Sequence, residues 1–535
     1  MVQVESGRGS EERQEERPTG LFGRFLNLVE WLGNLLPHPV TLFALFALGV
    51  VLLSGLAGWL EWSVVDPRPE GAAGRSESGT IEAISLLNAE GFRRIVTGLV
   101  QNFVSFVPLG TVLVALLGVG VAEHSGLLSA AIRAVVLKTP KGLITVSIVF
   151  AGVMSNTASE AGYVVLIPLA AVVYYSLGRH PFAGMAAAFA GVSAGYSANL
   201  LIGTIDPLLA GITEEAARLI DPEYTVHPAV NWYFMMVSTV FITIVGTAVS
   251  LLIVEPRLGA YDPSNAQEGV EDQRAMEPLA AREMRGLFWA FVAMVVVSLF
   301  FALSVVPEWG VLRNPETGEV LNSPFLRGMV TLIFVFFLVP GVVYGVVTGT
   351  IKSDRDVIEG MSQAMSSLGL YIVLVFFAAQ FVAFFGWTNL GAITAVVGAE
   401  FLTDAEFTGP EVFVFFILIC CVVNLMLGSA SAQWAVTAPI FVPMLMLVGY
   451  SPEVIQAAYR IGDSTTNIIT PMMSYFGLIL AFAAKYDRKV GVGTIIAMML
   501  PYSIFFLIGW VVLFFLWVFG LGLPVGPAAP TYYGG

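Results

Sequence analysis

Ser155-Asn156-Thr157-Ala158-Ser159-Glu160 and Gly428-Ser429-Ala430-Ser431-Ala432-Gln433-Trp434 are polar tracts set inside long apolar stretches. Asn199 and Asp206-Pro207 follow the first at some distance. Arg460, Asp463, Asn467 and Thr470-Pro471 follow the second. Hydrocarbon tolerates polar backbone and carboxylates only where protein or a water-filled cavity surrounds them. Two such places, one per half of the chain, imply a carrier built from a structural repeat with its site near the membrane midplane.

Composition agrees with a membrane setting. Hydrophobic residues make up 57% of the 535 and charged residues 12%, where soluble domains carry roughly a quarter charged. A net charge of −14 argues against nucleic acid as a partner. Cys420 and Cys421 are adjacent in an apolar run, so neither a disulfide framework nor a metal site is expected. HExxH, Walker A and GxGxxG patterns are absent from the sequence, and ATP-driven transport has no support within it.

Apolar length, at about 20 residues per crossing, places the spans, and the Lys/Arg bias of short loops orients them. Residues 1–36 read as a cytoplasmic tail ending in an interfacial amphipathic helix over 21–36, with no cleavable signal peptide. A first repeat over 37–255 contains a re-entrant hairpin at 142–178, whose apolar arms are too short to cross, and a broken helix at 181–207. Residues 256–286 are a cytoplasmic linker and 287–305 an extra span. An inverted second repeat over 327–520 holds a hairpin at 411–449 and a broken helix at 452–480, before a tail at 521–535. The predicted fold is an all-α integral membrane protein with about nine transmembrane helices and two re-entrant hairpins. Arg68, Arg75, Arg93 and Arg94 run against the charge bias, but in a long loop that also bears acids. Gly178-Arg179-His180-Pro181 and Gly449-Tyr450-Ser451-Pro452 each open a broken helix, a weak internal likeness.

Side chains at these breaks carry the chemistry. Ser155, Asn156, Thr157, Glu160, Asn199 and Ser429 offer oxygens for a cation at the hairpin tips, or else cap the hairpin helices. Asp206 is a proton carrier or ion ligand, or a turn residue ahead of Pro207. Arg460 and Asp463 stand three apart on one helix face and are expected to pair. That pair is either static or remade when a substrate carboxylate takes the guanidinium. Trp434 gives a stacking face for an aromatic ligand or packs in the interior. Pro452 and Pro471 shape helix breaks.

The stretches Ser155–Pro168, Gly195–Pro207, Asn231–Phe234, Ser429–Pro443 and Arg460–Pro471 resemble the p-aminobenzoyl-glutamate transporter family (AbgT), one of the two-hairpin ion-coupled transporters. The likeness runs from about residue 21 to 520 and is most specific over Arg460–Pro471. It implies a homodimer of nine-span subunits that moves p-aminobenzoyl-glutamate and related aryl anions, with sulfonamide export in some members. It implies substrate-binding or ion-coupling roles for Asp206, Ser431, Trp434, Pro452, Arg460, Asp463 and Pro471, to which Asn467 is added from its place in the break.

The expectation is a proton-driven exporter in a bacterial inner membrane, N-terminus cytoplasmic, with no cofactor beyond the coupling ion. Its alternative is a Na⁺-coupled importer of the same or another carboxylate, with Na⁺ at the hairpin tips. A reading from another class, an intramembrane aspartyl protease using Asp206 and Asp463, requires YD and GxGD contexts. The sequence has Thr204-Ile205-Asp206-Pro207 and Ile461-Gly462-Asp463-Ser464 instead.

Overall fold

The computed structural model describes residues 37–68, 75, 78–158, 162–266, 279–320, 323–471 and 473–534. The interfacial helix expected at 21–36 and the candidate Glu160 lie outside the described residues.

The chain is an all-α integral membrane protein. Among the described residues, eight helices are long and apolar enough to cross a membrane, or nine if a pair bent by 113° at 137–141 counts as one. One short antiparallel ribbon, Ser63–Val65 with Thr80–Glu82, sits in the first long loop. Arg68 ties that loop inward, donating to Asp66 at 2.6 Å and to the Ile220 carbonyl at 2.5 Å. Helix Ala281–Val305 has the least buried face of the spans, with 17% of its apolar window covered. Phe291, Val296, Leu299 and Phe300 stay exposed along it, as suits lipid or a partner rather than water.

Both expected hairpin segments are helix–break–helix units. In the first, Ile144–Ser155 has 12 residues, about 18 Å at 1.5 Å per residue and short of a core of about 30 Å. A 3₁₀ turn at Asn156–Ala158 and a π turn at Gly162–Leu166 lead into Ile167–Ser176. In the second, Val412–Met426 breaks at Leu427–Ser429 and returns as Ala430–Val448. That return arm has 19 residues and could cross by length alone, unlike its counterpart.

The broken helices depart from the sequence reading in extent. The first runs Pro181–Phe189, continues as a π turn to Ala194, opens over residues 195–204, and resumes as Ile205–Ala217. Its second arm therefore extends ten residues past Pro207, the end expected for this element. Asp206-Pro207 starts a helix because the Asp206 carboxylate accepts the Gly203 N–H at 2.7 Å, and proline is tolerated in a first turn. The second broken helix runs Pro452–Thr466, turns 3₁₀ at Asn467–Ile469, and resumes at Phe476–Tyr486. Ahead of the second hairpin segment stands a helix the sequence reading does not name, Leu390–Asp404, entered through Asn389 at φ 59°.

The first arm of each hairpin segment lies on a broken helix through a glycine contact. A Cβ on Gly152 would stand 2.9 Å from the Gly191 Cα, and one on Gly462 would stand 2.7 Å from the Ile417 carbonyl oxygen. Small residues let membrane helices approach to backbone contact. Gly152→Ala gains about 1 kcal/mol of helix propensity, but it presses a methyl group onto backbone that cannot step aside. The variant is therefore expected to lose about 1–3 kcal/mol net. A melting temperature at or above wild type in detergent would contradict this packing account.

Candidate functional site

The two helix breaks meet. Ser464 Oγ accepts the Ser197 N–H at 3.2 Å, and Asn467 Nδ2 reaches the Ser193 carbonyl at 3.5 Å. On the first-hairpin side, Thr157 donates to Asn199 Oδ1 at 2.9 Å, and the Leu201 N–H uses the same oxygen at 3.0 Å. Ser155 donates to the Gly152 carbonyl at 2.6 Å. On the second, Asn424 Nδ2 reaches the Asp463 carbonyl at 2.6 Å and Asn467 Oδ1 at 2.9 Å. Backbone freed by the breaks is thus satisfied largely by side chains from the facing elements, as an interior far from water requires.

Helix Pro452–Thr466 presents Glu453, Gln456, Arg460 and Asp463 at spacings of three, four and three, which is one face. This stripe is buried from end to end. At its start, Tyr224 OH donates to both Glu453 carboxylate oxygens at 3.0 Å. Gln456 donates to Asn231 Oδ1 at 2.8 Å and accepts from Thr213 at 2.5 Å. Arg460 Nε donates to the same Asn231 oxygen at 3.0 Å, and its Nη2 forms an ion pair with Asp206 Oδ1 at 2.6 Å. Arg460 therefore pairs with Asp206, from the other half of the chain, and not with Asp463. Both Asp463 carboxylate oxygens lack a hydrogen-bond partner among the described residues, as does Arg460 Nη1.

Trp434 is sealed. Its ring stacks on Tyr459 with centroids 4.2 Å apart, and its Nε1 donates to Thr213 at 2.9 Å. It sits one turn behind the second tip, so its faces are taken up by protein and not held open for a ligand. Ser429 caps helix Ala430–Val448, accepting from the Ala432 N–H at 3.5 Å, and lies 3.2 Å from Ser431 Oγ.

A cavity of about 270 Å³ opens between the two tips and the two breaks. Asn156, Ser429, Ser431 and Asn467 line it, together with Tyr163, Tyr196 and Tyr475. Asp206, Trp434, Arg460 and Asp463 do not line it and form the buried layer behind. Pro452 is the buried first residue of the striped helix and Pro471 follows its break, half-buried. The sequence reading gave no role to Asn231, Thr213, Gln456, Glu453 or Asn424. The spacing of Glu453 and Gln456 from Arg460 was the available signal for two of them. No trio of His, Cys, Asp or Glu that could hold a metal ion occurs among the described residues.

The family model "AbgT putative transporter family" matches residues 24–533. The chain belongs to the AbgT transporter family. One AbgT relative, the Escherichia coli p-aminobenzoyl-glutamate transport protein, is 35% identical over 505 residues, covering 94% of this chain and 96% of its own. MtrF of Neisseria gonorrhoeae, described among "a class of antimetabolite efflux pumps", superposes with a TM-score of 0.89 at 59% identity. The match covers 95% of this chain and 100% of that one. The Alcanivorax borkumensis YdaH transporter, described as having an unusual topology, gives 0.84 at 44% identity, covering 92% and 100%. The AbgT match spans both tips, both breaks and the striped helix.

Proposed function

We propose that this AbgT protein is a secondary active exporter of p-aminobenzoyl-glutamate and related aryl anions, sulfonamide antimetabolites included, driven by protons moving inward. It would work as a homodimer in a bacterial inner membrane with a cytoplasmic N-terminus. The hairpins and broken helices would move against the scaffold spans.

One observation carries the coupling. Asp463 is fully buried without a hydrogen-bond partner among the described residues, on the same helix face as a guanidinium already held by Asp206. An unpartnered carboxylate at this depth is a site for a proton or a cation. Export against inward protons requires substrate and proton to bind in turn, and Asp463, on the same helix face as the Arg460–Asp206 pair, is the group that would carry the proton on the return half of the cycle. The substrate class comes from the E. coli relative and from MtrF.

A second reading, sodium-coupled uptake, is favoured by a different observation. Asn156 Oδ1, Asn424 Oδ1 and Ser197 Oγ are buried at the tips and breaks with no partner among the described residues. Neutral oxygens of this kind suit Na⁺ at a helix break. Proteoliposomes preloaded with labelled p-aminobenzoyl-glutamate distinguish the two when pH and Na⁺ gradients are imposed separately. Efflux accelerated by a pH gradient alone is expected. Flux that responds only to sodium would overturn proton coupling.

A further inference from the structure

Tyr163 and Tyr475 line the cavity from opposite halves of the repeat, and their rings stack with centroids 4.5 Å apart and planes 10° apart. Tyr163 lies in the π turn just after the first tip, and Tyr475 closes the turn before helix Phe476–Tyr486. Single π turns inside helices are often found at functional sites. The stack joins two segments that would have to move in a transport cycle.

We infer that this tyrosine pair is an aryl-binding clamp, and that Asn156 receives the amino group of the bound ring. The inference deepens the proposed function and rests on its substrate class. Parallel rings need about 3.5–4 Å per layer. Parting the tyrosines to about 7–8 Å therefore admits one aromatic ring, with one stack lost and two formed. Trp434, one turn behind the second tip, cannot serve in this way because its ring already lies on Tyr459.

The polar ends of the cavity fit an aminobenzoyl anion in one sense. Asn156 Nδ2 is tethered to the Gly195 carbonyl at 3.4 Å, and its buried Oδ1 has no donor among the described residues. An aromatic amine supplies that donor. Ser429, Ser431 and the first N–H groups of helix Ala430–Val448 stand on the cavity wall of the opposite tip, where a carboxylate is favoured. The ring would then bridge the two halves, with its amine at the first tip and its carboxylate at the second.

Calorimetric titration of the purified full-length protein with p-aminobenzoyl-glutamate and with benzoyl-glutamate, which lacks the amine, tests this. Tyr475→Leu is expected to weaken both ligands about tenfold, whereas Tyr475→Phe, which keeps the ring face, stays within about twofold of wild type. Wild type is expected to prefer the amino ligand by about tenfold, and Asn156→Ala to bind the two alike. That ratio is taken within one variant, so it does not depend on the fraction folded. Tyr475→Leu binding as wild type does, or Asn156→Ala keeping the preference, would overturn the clamp alone. Failure of wild type to bind p-aminobenzoyl-glutamate would overturn the proposed substrate and the clamp with it.

Discussion

Arg460→Ala is expected to stop transport and to destabilise the protein by about 3–5 kcal/mol. The side chains of Arg460 and Asp206 are 2% and 1% exposed and meet at 2.6 Å. Removing the guanidinium leaves Asp206 with only the Gly203 N–H, and leaves Asn231 without one of its two donors. The cost comes from the stranded carboxylate more than from the lost attraction, because a buried pair barely offsets its own desolvation. This gives the prediction a second arm. Arg460→Leu combined with Asp206→Asn removes both charges and is expected to recover most of the melting temperature, while transport stays lost. Recovery of flux in the double variant would mean the pair is only structural. A single variant as stable as wild type would mean Asp206 has another partner.

Asp463→Asn is expected to behave in the opposite way, keeping the fold while losing coupling. Neither Asp463 oxygen has a hydrogen-bond partner among the described residues, so an amide of the same shape forfeits no bond there. A neutral group is also cheaper to bury than a carboxylate without a donor. Stability should be unchanged or higher, with the melting temperature as the measure. Proton-driven flux in vesicles should fall by at least about a hundredfold, roughly 2.7 kcal/mol on the rate-limiting step, and its dependence on the imposed pH gradient should vanish. If Asp463→Asn retains a wild-type response to that gradient, the coupling site lies elsewhere. Together with Arg460→Ala, the variant separates two kinds of buried charge. One is held by a partner and is needed for folding. The other has no hydrogen-bond partner among the described residues, and coupling is the use proposed for it.

The architecture was legible where it depends on local quantities. Run length set the spans, and polar residues interrupting apolar runs marked Asn156, Ser429, Ser431 and Asn467, all of which reach the cavity. Asp206-Pro207 was left open between two readings because the same dipeptide serves a turn or a helix start. The Gly203 N–H that decides between them is available only once the backbone has folded back onto the carboxylate. Helix Leu390–Asp404 was missed because its glycines and threonines carry weak local preference, and tertiary packing against Ala430–Val448 supplies the rest.

By itself, the sequence determined that this is an all-α membrane protein with a polar site in each half, because hydrocarbon permits polar interruptions only where they are enclosed. Tertiary structure alone decided who pairs with whom. Spacing on one helix offered Asp463 to Arg460, yet the guanidinium is taken by Asp206, 254 residues away. It decided as well that Trp434 faces inward while Tyr163 and Tyr475 face the cavity. Helix periodicity says which residues share a face, but what that face meets is set by packing between the two halves, and no local spacing encodes it.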